Sequence, residues 1–161
     1  MPMKMDTRMG DIDRYIEEKV SEMRSLVIRQ LQIAGEQCVN AARNLPSMSR
    51  ANPAASRPHQ PNYIDDTAKL RSSIGYVVVC DGEVVFESSF APVGGGKEGS
   101  EKGRAFAERL AREERDGFAL IVVAGMNYAR YVAAKGYDVL DTAELEARKL
   151  VPRLLRQIGI E

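Results

Sequence analysis

The chain has 161 residues, the length of one domain, and its 23 basic and 23 acidic side chains cancel. That balance excludes a general nucleic-acid binder, which needs excess positive charge to displace counterions, and leaves room only for a local patch. One histidine and two cysteines far apart in sequence, Cys38 and Cys80, exclude a C-x-x-C framework and supply Cys-His or Ser-His catalysis poorly. Two ordinary thiols in a reducing compartment are the plain reading.

Residues 1–10 are polar and read as a flexible N-terminus with no apolar leader, and no stretch reaches the length of a membrane span. A long helix is predicted over residues 11–44. Ile12, Ile16, Val20, Met23, Val27, Leu31, Ala34, Cys38 and Ala42 repeat in steps of four, four and three, which keeps one apolar stripe on one face. At roughly 50 Å such a helix is longer than one small domain needs. Either it kinks near Gly35 or its end projects toward a partner, and most of its length is expected to lie across its own sheet. Residues 46–63 hold four of the seven prolines and read as a mobile loop, with His59 solvated inside it.

The adjacent carboxylates Asp65 and Asp66 read as capping and dipole residues, with Asp66 or Thr67 capping a short helical turn. A strand is predicted from Ile74 to Cys80. Asp81-Gly82 makes a hairpin, and Glu83 to Phe90 returns with Val84, Phe86 and Ser88 on one face. The run "APVGGGKEGS" (91–100) raises the question of a phosphate loop. Against G-x-x-x-x-G-K-[ST], Ala91 replaces the first glycine and Glu98 the hydroxyl residue. A mobile connection is the simpler expectation. Ser100 to Arg115 reads as an inserted surface helix with Phe106 and Leu110 on its apolar side and Glu108–Arg112 and Arg109–Glu113 paired.

A third strand follows in "FALIVVAG", apolar enough to be covered on both faces. Tyr128, Tyr131 and Val132 fit a helical turn that Gly136 stops. Asp141 and Glu144 form a capping-box-like start to a last helix that runs to about Ile158, with a kink at Pro152 and Gly159 at its end. The whole is one α+β domain: residues 65–125 carry the hairpin, inserted helix and third strand, and 126–161 the turn and last helix. The long N-terminal and the C-terminal helices pack on a small, mostly antiparallel sheet of three to four strands.

Two segments carry a resemblance. Thr67-Ala68-Lys69-Leu70-Arg71-Ser72-Ser73-Ile74 is similar to the "T-G-x-L-R-x-S-I" signature of tailed-phage neck proteins, also called head–tail joining, tail-completion or minor tail-component proteins. Tyr128-Ala129-Arg130-Tyr131-Val132 resembles that family's "Y-A-x-Y-V-E", and Gly136 and "YDVL" follow as in one of its branches. Ala68 stands at the signature's glycine and Ala133 at its glutamate. The "G-T" and "P-F-L" elements are missing, and residues 91–116 enlarge a connection between strands.

The resemblance implies a structural assembly protein with no enzymatic activity, no cofactor and no metal. Its place would be the virion, after assembly in the host cytoplasm. It would act as a ring of copies between the phage connector or adaptor and the tail, with DNA contact at most in the ring lumen. The candidate motif and interface residues are Thr67, Leu70, Arg71, Ile74, Tyr128, Tyr131, Val132 and Gly136. Leu70 and Ile74 would pin the turn to the sheet, Arg71 would hold a carboxylate or carbonyl or else be solvated, and both tyrosines would pack beside the sheet. Loops 46–63 and 91–100 would order on assembly. The alternative is a small anion- or nucleotide-binding domain that uses the Gly-rich loop 94–99, with Lys97, Arg104 and the inserted helix's N-terminus holding the anion.

Overall fold

Three strands form one antiparallel sheet in the order β2-β1-β3, with β1 (Ile74–Cys80) in the middle, β2 (Glu83–Glu87) on one side and β3 (Phe118–Ala124) on the other. The computed structural model describes residues 8–45 and 67–160. The proline-rich stretch 46–63 with His59, and the Asp65–Asp66 pair, therefore lie outside the described residues. Helix α1 spans Met9–Arg43, α2 Lys69–Ser72, α3 Lys97–Ala111, α4 Ala129–Ala134 and α5 Asp141–Gln157. The α+β class and the order of elements follow the sequence reading.

Every residue of β1 is buried. Its alternation sorts the core into two layers. Ile74, Tyr76 and Val78 face α1 and α5, where they meet Val27, Leu31, Cys38 and Ala42. Val77 and Val79 face α3, with Phe90, Ala107 and Ala111. Each fully buried aliphatic side chain contributes roughly 1.5–3 kcal/mol relative to exposure, so the central strand is the fold's chief anchor. The sequence reading assigned double coverage to the third strand. The structure gives it to β1, while β3 is a half-buried edge strand.

The hairpin forms as predicted, with Asp81 and Gly82 both at positive φ (51° and 85°), the geometry of a two-residue turn matched to strand twist. In β2 the expected alternation breaks. Val78 pairs with Phe86 but Val79 pairs with Val84, so a bulge at Val85 places Val84 and Phe86 opposite partners that face different layers. Phe86 stacks on Tyr76 with centroids 5.7 Å apart. The bulge, with Glu83 and Glu87, blunts the β2 edge; the β3 edge has neither charge nor proline.

Helix α1 runs unbroken through Gly35, so no kink is needed there. Its C-terminal half is seated on the sheet. From Met9 to Leu26 every residue is exposed, and that half projects. The inserted helix starts earlier than predicted, at Lys97 rather than Ser100, and Gly96 occupies its N-cap. It is a covering layer of the sheet, not a surface addition. Its buried line is Gly99, Gly103, Ala107 and Ala111, four residues apart, while Phe106 and Leu110 are only half-buried beside it. Two ion pairs along the helix lie in its first turns, Lys102–Glu98 (2.7 Å) and Lys97–Glu101 (4.0 Å), and Arg109 covers the Phe106 ring.

Helix α5 continues through Pro152 to a Schellman ending. There Gly159, at φ 83°, donates to the Arg156 carbonyl and Ile160 to that of Leu155. The Asp141–Glu144 capping box does not form. Buried Asp138 takes the capping role from upstream, accepting from the Thr142 backbone N–H (3.2 Å) and from the Thr142 hydroxyl. Glu144 pairs with Arg148. Among the described residues, no helix is long and apolar enough to cross a membrane.

Candidate functional site

The segment Thr67–Ile74 forms the junction between α2 and β1. Thr67 is exposed and makes no capping bond. Ala68 precedes α2 in the left-handed conformation, φ 53°, where a Cβ is strained and glycine is not. This is the position at which the resembled signature carries glycine. Leu70 and Ile74 are fully buried, Leu70 with Met126, Ala129 and Val139, and Ile74 in the α1 layer. Ile74 thus fixes the turn to the sheet, as expected of both, while Leu70 fixes it chiefly to Met126 and to α4.

Two arginines lock this junction to the end of α1. Arg71 donates to the Leu45 carbonyl at 3.1 Å, which resolves its two open roles in favour of a carbonyl partner. Arg43, in the last turn of α1, donates to the carbonyls of Ile74 (2.8 and 3.0 Å), Ala91 (2.9 Å) and Ser72 (3.3 Å). A planar guanidinium with five donors can serve several converging carbonyls at once, which a lysine cannot. The sequence reading missed Arg43. Its signal was a cation at a helix C-terminus, where it also complements the macrodipole.

The glycine run is built into the same junction. A Cβ on Gly96 would collide with Ser72 and the Ala68 carbonyl, one on Gly99 with the Lys69 carbonyl, and one on Gly103 with the Ser73 carbonyl; Gly125 lies against Gly103 from β3's end. These glycines therefore bring α3 into backbone contact with α2, and the expectation of a mobile connection is corrected for residues 96–100. The missed signal was the spacing of small residues on one helical face, Gly99, Gly103, Ala107 and Ala111. Hydrogen bonds from Lys102 and then Lys69 hold the Glu98 carboxyl down to about 2. The Lys69–Glu98 contact, 2.5 Å, ties the first turn of α3 to α2.

Lys97 and Arg104 line one surface pocket of about 320 Å³ together with Ser100 and Glu101. Arg104 is already engaged by Glu87 (2.5 Å) and the Ser89 carbonyl (3.4 Å), and Glu98 sits in the same helical turn as Lys97.

The second motif is surface, not core. Tyr128 is 39% and Tyr131 61% exposed, which overturns the expectation that both pack beside the sheet. Ala129 and half-buried Val132 supply the packing, and Lys135 lies 4.4 Å over the Tyr131 ring. Gly136, at φ 85°, ends α4 as predicted. The two motifs meet in one place: Leu70 shares its cluster with Ala129 and Val132.

Both cysteines are free and buried, and burial pushes both thiols up. Cys80 lies beside Arg24, which also pairs with Asp81 at 3.1 Å. Among the described residues no group of three or more His, Cys, Asp and Glu side chains could hold a metal ion. No family model, curated protein or solved structure matches the chain.

Proposed function

We propose that the protein is a structural assembly component of a tailed phage or prophage, placed at the head–tail junction as a ring of identical subunits. The observation that carries this reading is the convergence of the two motif segments. They lie 54 residues apart at their nearest ends, Ile74 and Tyr128, yet Leu70 packs with Ala129 and Val132 in one cluster. Ala68 supports it further, because its left-handed backbone is what a glycine in the signature would serve. Tyr131, exposed on α4, and Tyr128 at its N-cap present aromatic surface that suits contact with a neighbouring subunit.

The genes flanking the coding sequence test the proposal most directly. Portal, capsid and tail-tube genes on either side are expected; metabolic or regulatory genes would overturn it. The anion-binding alternative is favoured only by the pocket that holds Lys97, Ser100 and Arg104. It requires phosphate or ATP to raise the melting temperature by mass action and Lys97→Ala to abolish the rise.

A further inference from the structure

The apolar stripe of α1 outlasts the domain it packs on. From Val27 onward it is buried, but Ile12, Ile16, Val20 and Met23 continue it at helical spacing and are 41%, 52%, 55% and 42% exposed. Where the stripe leaves the core it borders an apolar groove of about 640 Å³ between α1, β3 and α5. Leu120 lines it from the sheet, and Val151 and Leu155 line it from α5. Val20 and Met23 belong to both the stripe and the groove wall. Surface of this kind marks an interaction site, and here stripe and hollow share one side of the molecule.

Charge selects the occupant. Over residues 11–18, Asp11, Asp13, Glu17 and Glu18 outnumber Arg14; over residues 19–29, Lys19, Arg24 and Arg29 outnumber Glu22, with Arg24 already paired to Asp81. Two such helices side by side in parallel would set like charge against like. Antiparallel, the acidic end of each lies along the basic half of the other. The zero formal net charge adds no long-range repulsion between copies. A basic stripe suited to an anionic lipid surface is absent from this acidic helix end.

We propose that two copies of this chain pair through a two-fold axis, their α1 N-terminal halves antiparallel, with Val20 and Met23 of each filling the groove of the other. Such an isologous contact closes at two copies. It does not rest on the neck reading, since a ring requires a different, heterologous surface.

The test is the mass of the full chain measured by light scattering at about 100 µM, well above a dissociation constant of about 1 µM. A dimer is expected for the wild type. Val20→Glu, an exposed change, is expected to weaken it at least about tenfold by burying an unpaired charge, with the circular dichroism spectrum and melting midpoint of the monomer unchanged. A wild-type monomer, whose apolar face then serves another protein, overturns the proposal. So does an oligomer that survives Val20→Glu.

A charge exchange tests the electrostatic pairing of the two helices independently. Asp13→Lys with Glu17→Lys makes one variant basic along α1, and Lys19→Glu with Arg29→Glu makes another acidic; Arg24 is left on Asp81. Each alone is expected to be monomeric, and their mixture dimeric. Dimers in either variant alone, or none in the mixture, overturn the charge-paired contact between copies.

Discussion

The ring of Tyr76 lies against the backbone of Gly35, so close that a Cβ there would overlap its Cδ2 and Cε2 atoms, and its hydroxyl donates to Glu36 at 3.0 Å. Burial first, and Glu36 second, push the Tyr76 hydroxyl well above the ordinary tyrosine range. The central strand and the long helix approach each other at this point because α1 presents no side chain there. Gly35→Ala would gain up to about 1 kcal/mol in helix propensity but overpack the core. We expect a net loss of about 1–3 kcal/mol in denaturant unfolding. Gly10→Ala, with nothing within 4 Å of the added Cβ, is the control and should be neutral or stabilising.

Gly99 and Gly103 present a harder obstacle, because what they meet is backbone, the Lys69 and Ser73 carbonyls. A side chain could rotate away; α2 cannot without disturbing Leu70 and Arg71. Gly99→Ala should therefore cost at least about 2 kcal/mol, by overpacking. Hydrogen exchange should rise first in α2 and α3 while the α1 layer stays protected. Unchanged stability would show that α3 is not seated on α2 in solution.

Ala68→Gly should act in the opposite direction. The left-handed conformation at φ 53° costs an L-residue roughly 1–2 kcal/mol, and glycine removes that strain at some entropic cost in the unfolded chain. A net gain near 1 kcal/mol corresponds to a rise in melting temperature of about 2–4 °C for a chain of this size. A fall in the melting temperature would place Ala68 in another conformation.

Glu98 makes the α2–α3 contact pH-dependent. Its carboxyl lies near 2 in the fold against an ordinary 4.5, so its contribution is fully present above about pH 4.5 and is lost as pH falls through about 2. The melting temperature of Glu98→Gln should lie below that of the wild type near neutrality, and the gap should close between pH 4.5 and 2. A gap that stays constant across this window would mean that the Lys102 and Lys69 contacts do not form in solution. Because these groups are solvent-exposed, added salt should narrow the gap as well.

What was legible in the sequence is what local physics dictates. The apolar repeat from Ile12 to Ala42 specified α1 to within two residues at its start and one at its end. Asp81-Gly82 specified the hairpin, Gly136 and Gly159 the ends of α4 and α5, and the apolar runs the strands. Each of these signals acts through its neighbours along the chain, by helical period, by strand period or by a left-handed turn residue. Of the first motif, the burial of Leu70 and Ile74 was legible as apolar residues beside a strand, whereas the sequence left Arg71 open between a carbonyl partner and solvent.

The tertiary structure decided whatever depends on approach between distant segments. Which strand is central follows from the order β2-β1-β3, and β1 and β3 are almost equally apolar in sequence. The glycines at 96 and 99 look like a flexible loop in sequence, because glycine serves both freedom and close contact, and only the Ala68 and Lys69 carbonyls above them tell the two apart. Tyr128 and Tyr131 are exposed because the smaller Ala129 and Val132 point inward from the same turn. Arg43 is one arginine among many until the fold brings the carbonyls of Ser72, Ile74 and Ala91 around it. Periodicity reports which side of an element is apolar; only the packed chain determines what lies against that side and how near it comes.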